Sequence, residues 1–301
     1  MAVMDGTDGL VVSVAQGKLR GSAEDGVISF KGVPYAAAPF GPHRFAAPAP
    51  APSWDGVRDA LSYGPTAPKP GYPPPVDQIL PEVVVPGEEC LNLNVWTPAL
   101  DDARRPVLVW IHGGAFVNGS GALPTYDGSR FARDGVVCVT LNYRLGAEGF
   151  LLLEDAPANR GLLDQVAALE WVRDNIAAFG GDPDQVTVFG ESAGAMSVVT
   201  LLSMPAAQGL FRRAVAQSGG GHNAMPRATA QKVTAALAER LGVDASAAGF
   251  AAVPPTDLVA AQAALSAAIA TAPDPRVWGE IATHSMAWEP CVDGEVVPAL
   301  P

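Results

Sequence analysis

The chain is short of positive charge: 19 Lys and Arg stand against 31 Asp and Glu in 301 residues, a formal net charge of −12. That balance argues against a nucleic-acid surface or a polybasic membrane anchor. Long apolar runs are also missing, and no window approaches the roughly 18 residues that a spanning helix requires. The opening "MAVMDGTDGLVVSV" has an acid ahead of its short apolar run, with no basic segment and no small-residue cleavage pattern. It does not read as a signal peptide, and a cytoplasmic location is the expectation. Cysteine is scarce as well. Cys90, Cys138 and Cys291 are an odd number without the CxxC spacing of a metal site, and Cys138 sits in the apolar run "GVVCVTLNY" as a small buried hydrophobe.

What is present suits a packed globular enzyme: 49% hydrophobic residues and 17% charged. The length allows one large α/β domain or two smaller ones. "VVSVAQGKLRG" and "GVISFKGVPYA" read as short early strands. Residues 34–87 are rich in Pro and Gly, which predicts irregular surface structure wrapped on a core. "RPVLVWIHGG" and "GVVCVTLNYR" are uninterrupted apolar runs, as strands of a parallel sheet buried on both faces would be.

Leu162, Val166, Leu169, Val172 and Ile176 recur at helical spacing, with Asp164, Glu170 and Arg173 assigned to the other faces. This helix is expected to stop at "FGGDPDQ", to be followed by a strand at "VTVF", a helix at "AMSVVTLLSM" and a strand at "FRRAVAQSGG". Further on, Thr256 is a candidate N-cap for a helix through "DLVAAQAALSAAIA" that Pro273 closes.

"FGESAGA" places Ser192 between Gly190 and Gly194, after an apolar strand and before a helix. Strand, Gly-x-Ser-x-Gly and helix together form a nucleophile elbow, in which the flanking residues must be tiny to clear each other. "HGGAF" at 112–116 ends another buried strand. Its glycines would let backbone N–H groups approach a substrate, so those of Gly113, Gly114 and Ala193 are candidates for an oxyanion hole. His112 belongs to that loop and reads as a hydrogen-bonding support, not as a base.

These elements, with "GVPYAAAPFGPHRFAAP", "EECLNLNVWTP", "NYRLGAEGF", "NRGLLDQVAALEWVRDNIAAFGGDP" and "GLFRRAVAQSG", closely resemble the type-B carboxylesterases, which include bacterial nitrobenzyl esterases and cholinesterases. The resemblance runs from about residue 10 to the end. It implies an α/β-hydrolase fold: a mostly parallel central sheet with flanking helices, in a single domain over residues 1–301. It also implies serine-dependent hydrolysis of a small-molecule ester, with no metal and no organic cofactor. Glu191 matches a position whose carboxylate supports the active site, although as a residue it could equally be a solvated turn acid. Members with a disulfide in the Pro-rich loop pair a cysteine there with the one in "EECL"; Ala67 stands at the first position here, so Cys90 is expected to be a free buried thiol. Between residues 68 and 89 the only aromatic is Tyr72, which disfavours choline-ester specialism.

Triads on this fold run Ser, then Asp or Glu, then His. After Ser192 the histidines are His222 and His284. His222 follows "QSGGG", where the resemblance implies a pocket wall. His284, with Asp274 and Glu280 before it, is a conceivable local substitute. "WEPCVDGEVVPALP" resembles the segment that precedes another strand, the catalytic acid and the histidine, so both are expected beyond Pro301, together with the last strands of the sheet. An unpaired sheet edge, prone to association, follows from that expectation. Two other readings stay open. One is a non-catalytic cholinesterase-like interaction domain; the other is a shorter hormone-sensitive-lipase-like esterase.

Overall fold

The computed structural model describes residues 10–301. Most of the N-terminal stretch weighed above as a signal peptide lies outside the described residues. The strands that build the two larger sheets are β1 (Val11–Val14), β2 (Gly17–Arg20), β3 (Ser22–Glu24), β4 (Val27–Pro34), β5 (Val57–Asp59), β6 (Asn92–Thr97), β7 (Arg105–Ile111), β8 (Val137–Leu141), β9 (Gly181–Glu191) and β10 (Arg213–Gln217). Seven of them form one sheet in the order β10-β9-β7-β8-β6-β4-β3, while β1, β2 and β5 form a small separate sheet.

The large sheet is parallel on one side and antiparallel on the other. β10, β9, β7 and β8 run parallel, whereas β8 to β6, β6 to β4 and β4 to β3 are antiparallel pairs. The parallel strands are the apolar runs of the sequence: all five residues of β8 are buried, as are Val107, Val109 and Ile111 of β7. Strands covered by helices on both faces have no polar face to alternate. Helices Arg160–Asn175 and Ala193–Ser203 both pack on β9.

The alanine-rich part beyond His222 builds a second apolar cluster. Leu237, Phe250, Leu265, Ile269 and Trp288 pack there against Leu151–Leu153. Asn159 ties that region to the main body, accepting from the Cys291 N–H at 2.8 Å and donating to the Cys291 carbonyl at 2.9 Å. Among the described residues no helix is long and apolar enough to cross a membrane.

Two local expectations need correction, and one residue gains a role. Asp164, read only as lying on another face than the apolar stripe, is fully buried and bidentate to Arg144, at 2.8 Å to Nε and 2.6 Å to Nη2. Helical periodicity cannot register a carboxylate whose cation arrives from 20 residues away. Thr256 is not the N-cap; Pro254 precedes the helix and Pro255 is its first residue, a position where a missing N–H costs nothing. The strand before the elbow is longer than "VTVF", because Gly181 already pairs with Arg105 of β7.

Candidate active site

Ser192 lies at the sharp junction between β9 and helix Ala193–Ser203, with φ 54° and ψ −123°. A non-glycine residue held there is strained, and surrounding bonds maintain it. The Ser192 N–H donates to the Gln217 carbonyl at the end of β10 (2.9 Å), and the Ser192 carbonyl accepts from Met196 N–H (2.9 Å). A Cβ added to Gly190 would lie 2.5 Å from the carbonyl carbon of Gly194, and one added to Gly194 would overlap the carbonyl oxygen of Ile111. The glycines thus do more than avoid each other. They let the elbow seat directly on the end of β7.

That seating brings the 112–116 loop to the serine. A Cβ on Gly113 would lie 3.2 Å from Ser192 Cβ and 2.7 Å from the Glu191 carbonyl oxygen. The orientation of the loop follows from two anchored carbonyls. Tyr143 Oη donates to the His112 carbonyl (2.9 Å), and His112 Nδ1 donates to the Gly113 carbonyl (2.8 Å). In a trans peptide the N–H points opposite to the C=O of the same plane. The N–H groups of Gly113 and Gly114 are therefore turned away from Tyr143 and from the His112 ring.

Among the described residues, neither of those N–H groups donates to a protein acceptor. Ala193 is the first residue of its helix, so its N–H has no intrahelical acceptor either. The sequence-predicted donors are thus all without protein partners.

His112 is buried and stacks on Tyr143, with ring centroids 4.5 Å apart and 22° between planes. Burial holds its pKa down at about 3, so the ring is neutral at ordinary pH, with the proton on Nδ1 because a carbonyl can only accept. A ring used in this way supports the loop and does not act as a base. Tyr143, two residues past the end of β8, thus has a role that local sequence pattern does not reveal.

Glu191 is exposed, and its carboxylate makes no hydrogen bond among the described residues. It does lie close to the loop, and after burial it is the next cause that raises the Tyr126 phenol. His222 is exposed after β10 and lines a shallow cavity with Arg227 and Glu280. His284 faces Glu289, with Nε2 3.7 Å from its carboxylate, while Asp274 is held by Arg276 at 2.7 Å. The conceivable local pair with Asp274 is therefore not assembled. Among the described residues no histidine hydrogen-bonds the Ser192 hydroxyl.

Comparison with known proteins places the chain in a family. Residues 8–301 match the Carboxylesterase family. The chain is 49% identical over 239 residues to the para-nitrobenzyl esterase of Bacillus subtilis (strain 168), covering 78% of this chain and 48% of that protein. It is 46% identical over 249 residues to the phenmedipham hydrolase of Pseudarthrobacter oxydans, with the same coverage of 78% and 48%. Among solved structures, a PNB esterase superposes with a TM-score of 0.85 at 42% identity, covering 97% of this chain and 59% of that one. A Geobacillus stearothermophilus carboxylesterase superposes with a TM-score of 0.82 at 44% identity, covering 97% and 57%. The chain spans about half the length of these curated relatives. Its fold is that of the α/β-hydrolases, and with its elbow, its paired glycines and the match over residues 8–301, the chain belongs to the carboxylesterase family.

Proposed function

We propose that this chain carries the nucleophile and oxyanion hole of a serine carboxylic-ester hydrolase, within one α/β-hydrolase domain over residues 1–301. Ser192 Oγ attacks the acyl carbon, and the charge that develops on the carbonyl oxygen is held by the N–H groups of Gly113, Gly114 and Ala193. The Ser192 proton passes to solvent, the alcohol leaves from the tetrahedral intermediate taking a proton from solvent, and water then attacks the acyl-enzyme, its OH going to the acid and its remaining proton returning to Ser192 Oγ. Glu191, beside the nucleophile, supports the site electrostatically. No metal or organic cofactor enters the reaction.

The observation that supports this reading is a strained serine with Gly113 packed against it, where a Cβ would lie 3.2 Å from Ser192 Cβ, and N–H groups of Gly113, Gly114 and Ala193 that have no protein acceptor among the described residues. Preorganised donors of this kind lower a barrier by several kcal/mol because they need no reorganisation as charge develops. The relatives are named as an esterase and a hydrolase, which supports carboxylic-ester chemistry.

Among the described residues no histidine meets the Ser192 hydroxyl, so weak turnover is expected from these residues alone. Elbow and hole alone leave catalysis of order 10³ to 10⁴ over water in triad-deleted serine proteases. The test is hydrolysis of a small p-nitrophenyl ester by the wild type and by Ser192→Ala. Release should vanish in the variant; equal rates would remove Ser192 from the mechanism.

Two further parts of the reading concern surroundings. Three buried free thiols suit a reducing cytoplasm. The outer edge of β10 has no strand neighbour among the described residues, and Val215 on it is 46% exposed, which supports association through that edge.

A further inference from the structure

The far end of the 112–119 loop is held by a device that the reaction itself does not use. Lys69 and Glu82, both in the Pro- and Gly-rich stretch, face each other at 3.4 Å with side chains only 2% and 10% exposed. Each also holds Gly119. The Gly119 N–H donates to Glu82 Oε1 at 2.8 Å, and Lys69 Nζ donates to the Gly119 carbonyl at 3.2 Å. One residue earlier, Asn118 Oδ1 accepts from the Gly71 N–H at 3.0 Å and Asn118 Nδ2 donates to the Gly71 carbonyl at 3.4 Å.

Gly119 is placed to pass this restraint on. Its φ is +92°, and a Cβ there would overlap the Gly113 carbonyl and come within 2.5 Å of His112 Nδ1. It therefore backs directly onto the peptide plane whose other side presents the Gly114 N–H. The loop also closes on itself, since Asn118 N–H donates to the Gly114 carbonyl at 2.9 Å. A restraint on residues 118 and 119 is thus a restraint on the orientation of residues 113 and 114.

Stability alone does not account for a buried ion pair here. Taking both charges out of water offsets most of their attraction, and well-packed apolar residues of similar size commonly serve a fold as well or better. We propose that Lys69 and Glu82 are positioning residues: by gripping both backbone groups of Gly119 they hold the peptide plane of Gly113 and Gly114 in the orientation the oxyanion hole needs. The inference rests on the oxyanion-hole assignment above. It gives the 65–87 stretch the role of a splint for the hole, where the sequence suggested only irregular wrapping.

The test compares the full chain with Lys69→Met/Glu82→Leu and, as a gentler change that keeps the shape, Glu82→Gln. Two quantities are read: amide hydrogen exchange of peptides covering 112–120, and the limiting rate at which a fluorophosphonate labels Ser192. Circular dichroism checks that the variants are folded. The double variant should exchange faster in 112–120 with β7 and helix Ala193–Ser203 unchanged, and should label about tenfold or more slowly with little change in the half-saturating probe concentration. Glu82→Gln should shift both readouts in the same direction by less.

Unchanged exchange in both folded variants overturns the grip, whatever the label does. Faster exchange with an unchanged limiting rate overturns its role at the oxyanion hole. A wild type that takes no label sinks the esterase reading, and faster exchange in the variants still supports the grip, so the two failures are distinguishable.

Discussion

Tyr143 and His112 form one unit: the phenol donates to the His112 carbonyl at 2.9 Å while the two rings stack at 4.5 Å. The phenol fixes the peptide plane that carries the Gly113 N–H, and the imidazole fixes the next plane, which carries that of Gly114. Burial pushes the Tyr143 phenol far above its usual range, so it remains a donor at every working pH. Tyr143→Phe keeps the stack and removes the donor. On the proposed assignment it should slow fluorophosphonate labelling of Ser192 by about tenfold, and the orphaned carbonyl should cost about 1–3 kcal/mol in urea unfolding. A variant that labels at the wild-type rate would show that the hydroxyl does not orient the loop.

Gly194 is the tightest point of the elbow, since a Cβ there has no room against the Ile111 carbonyl. The clash is with backbone of a central strand, which cannot swing aside as a side chain could. Gly194→Ala should therefore lower stability by about 3 kcal/mol or more, or abolish soluble folding. A loss below about 1 kcal/mol in denaturant titration would contradict the seating of the elbow on β7.

Glu289 predicts a pH dependence. Its carboxyl is buried, and burial with a smaller contribution from Glu280 raises its pKa from 4.5 to about 8. A carboxyl raised in the folded state contributes stability that is present below about pH 4.5 and is lost as pH rises through about 8, because the folded form must give up a proton it holds more tightly. His112 works in the other direction. Its depressed pKa contributes stability that is present above about 6.5 and is lost as pH falls towards about 3. Glu289→Gln should become progressively more stable relative to wild type from pH 5 to pH 8, at no more than about 1.4 kcal/mol per pH unit. Parallel Tm curves for the two proteins would contradict the raised carboxyl.

The three thiols give a simpler prediction. Cys90, Cys138 and Cys291 are free and buried, and burial pushes each up to about 12. Thiolates are the reactive species, so a maleimide should label none in the native protein and all three in denaturant. Rapid labelling of the folded protein would show that one of these sites opens.

The sequence made the centre of the molecule legible and its supports much less so. β7, β8 and the strand into the elbow announce themselves because burial on both faces requires unbroken apolar runs, and Gly190, Ser192 and Gly194 because the elbow tolerates few other residues. The candidate donors Gly113, Gly114 and Ala193 are proposed by the same local rules. Tyr143, Asp164, Lys69 and Glu82 are not, for a shared physical reason. Each acts through a partner distant in sequence: Tyr143 is 31 residues from His112, and Lys69 is 50 from Gly119. Lys69 and Glu82 sit in a stretch whose composition says only that it is irregular, and that property does not reveal whether a charge within it is solvated or buried. Helical periodicity sets Asp164 apart from the apolar stripe but does not show that it is the buried partner of Arg144.

The central claim is that Ser192 is a nucleophile facing a formed oxyanion hole. Its most direct test is intact-mass and peptide mapping of the chain after exposure to a fluorophosphonate, in which the Ser192 Oγ–P bond forms, P–F breaks, and fluoride leaves with the hydroxyl proton passing to solvent. The account predicts a single adduct on Ser192, absent in Ser192→Ala and slowed in Tyr143→Phe. An adduct that persists in Ser192→Ala, or a wild type left unmodified while a para-nitrobenzyl esterase control is fully labelled, would contradict it.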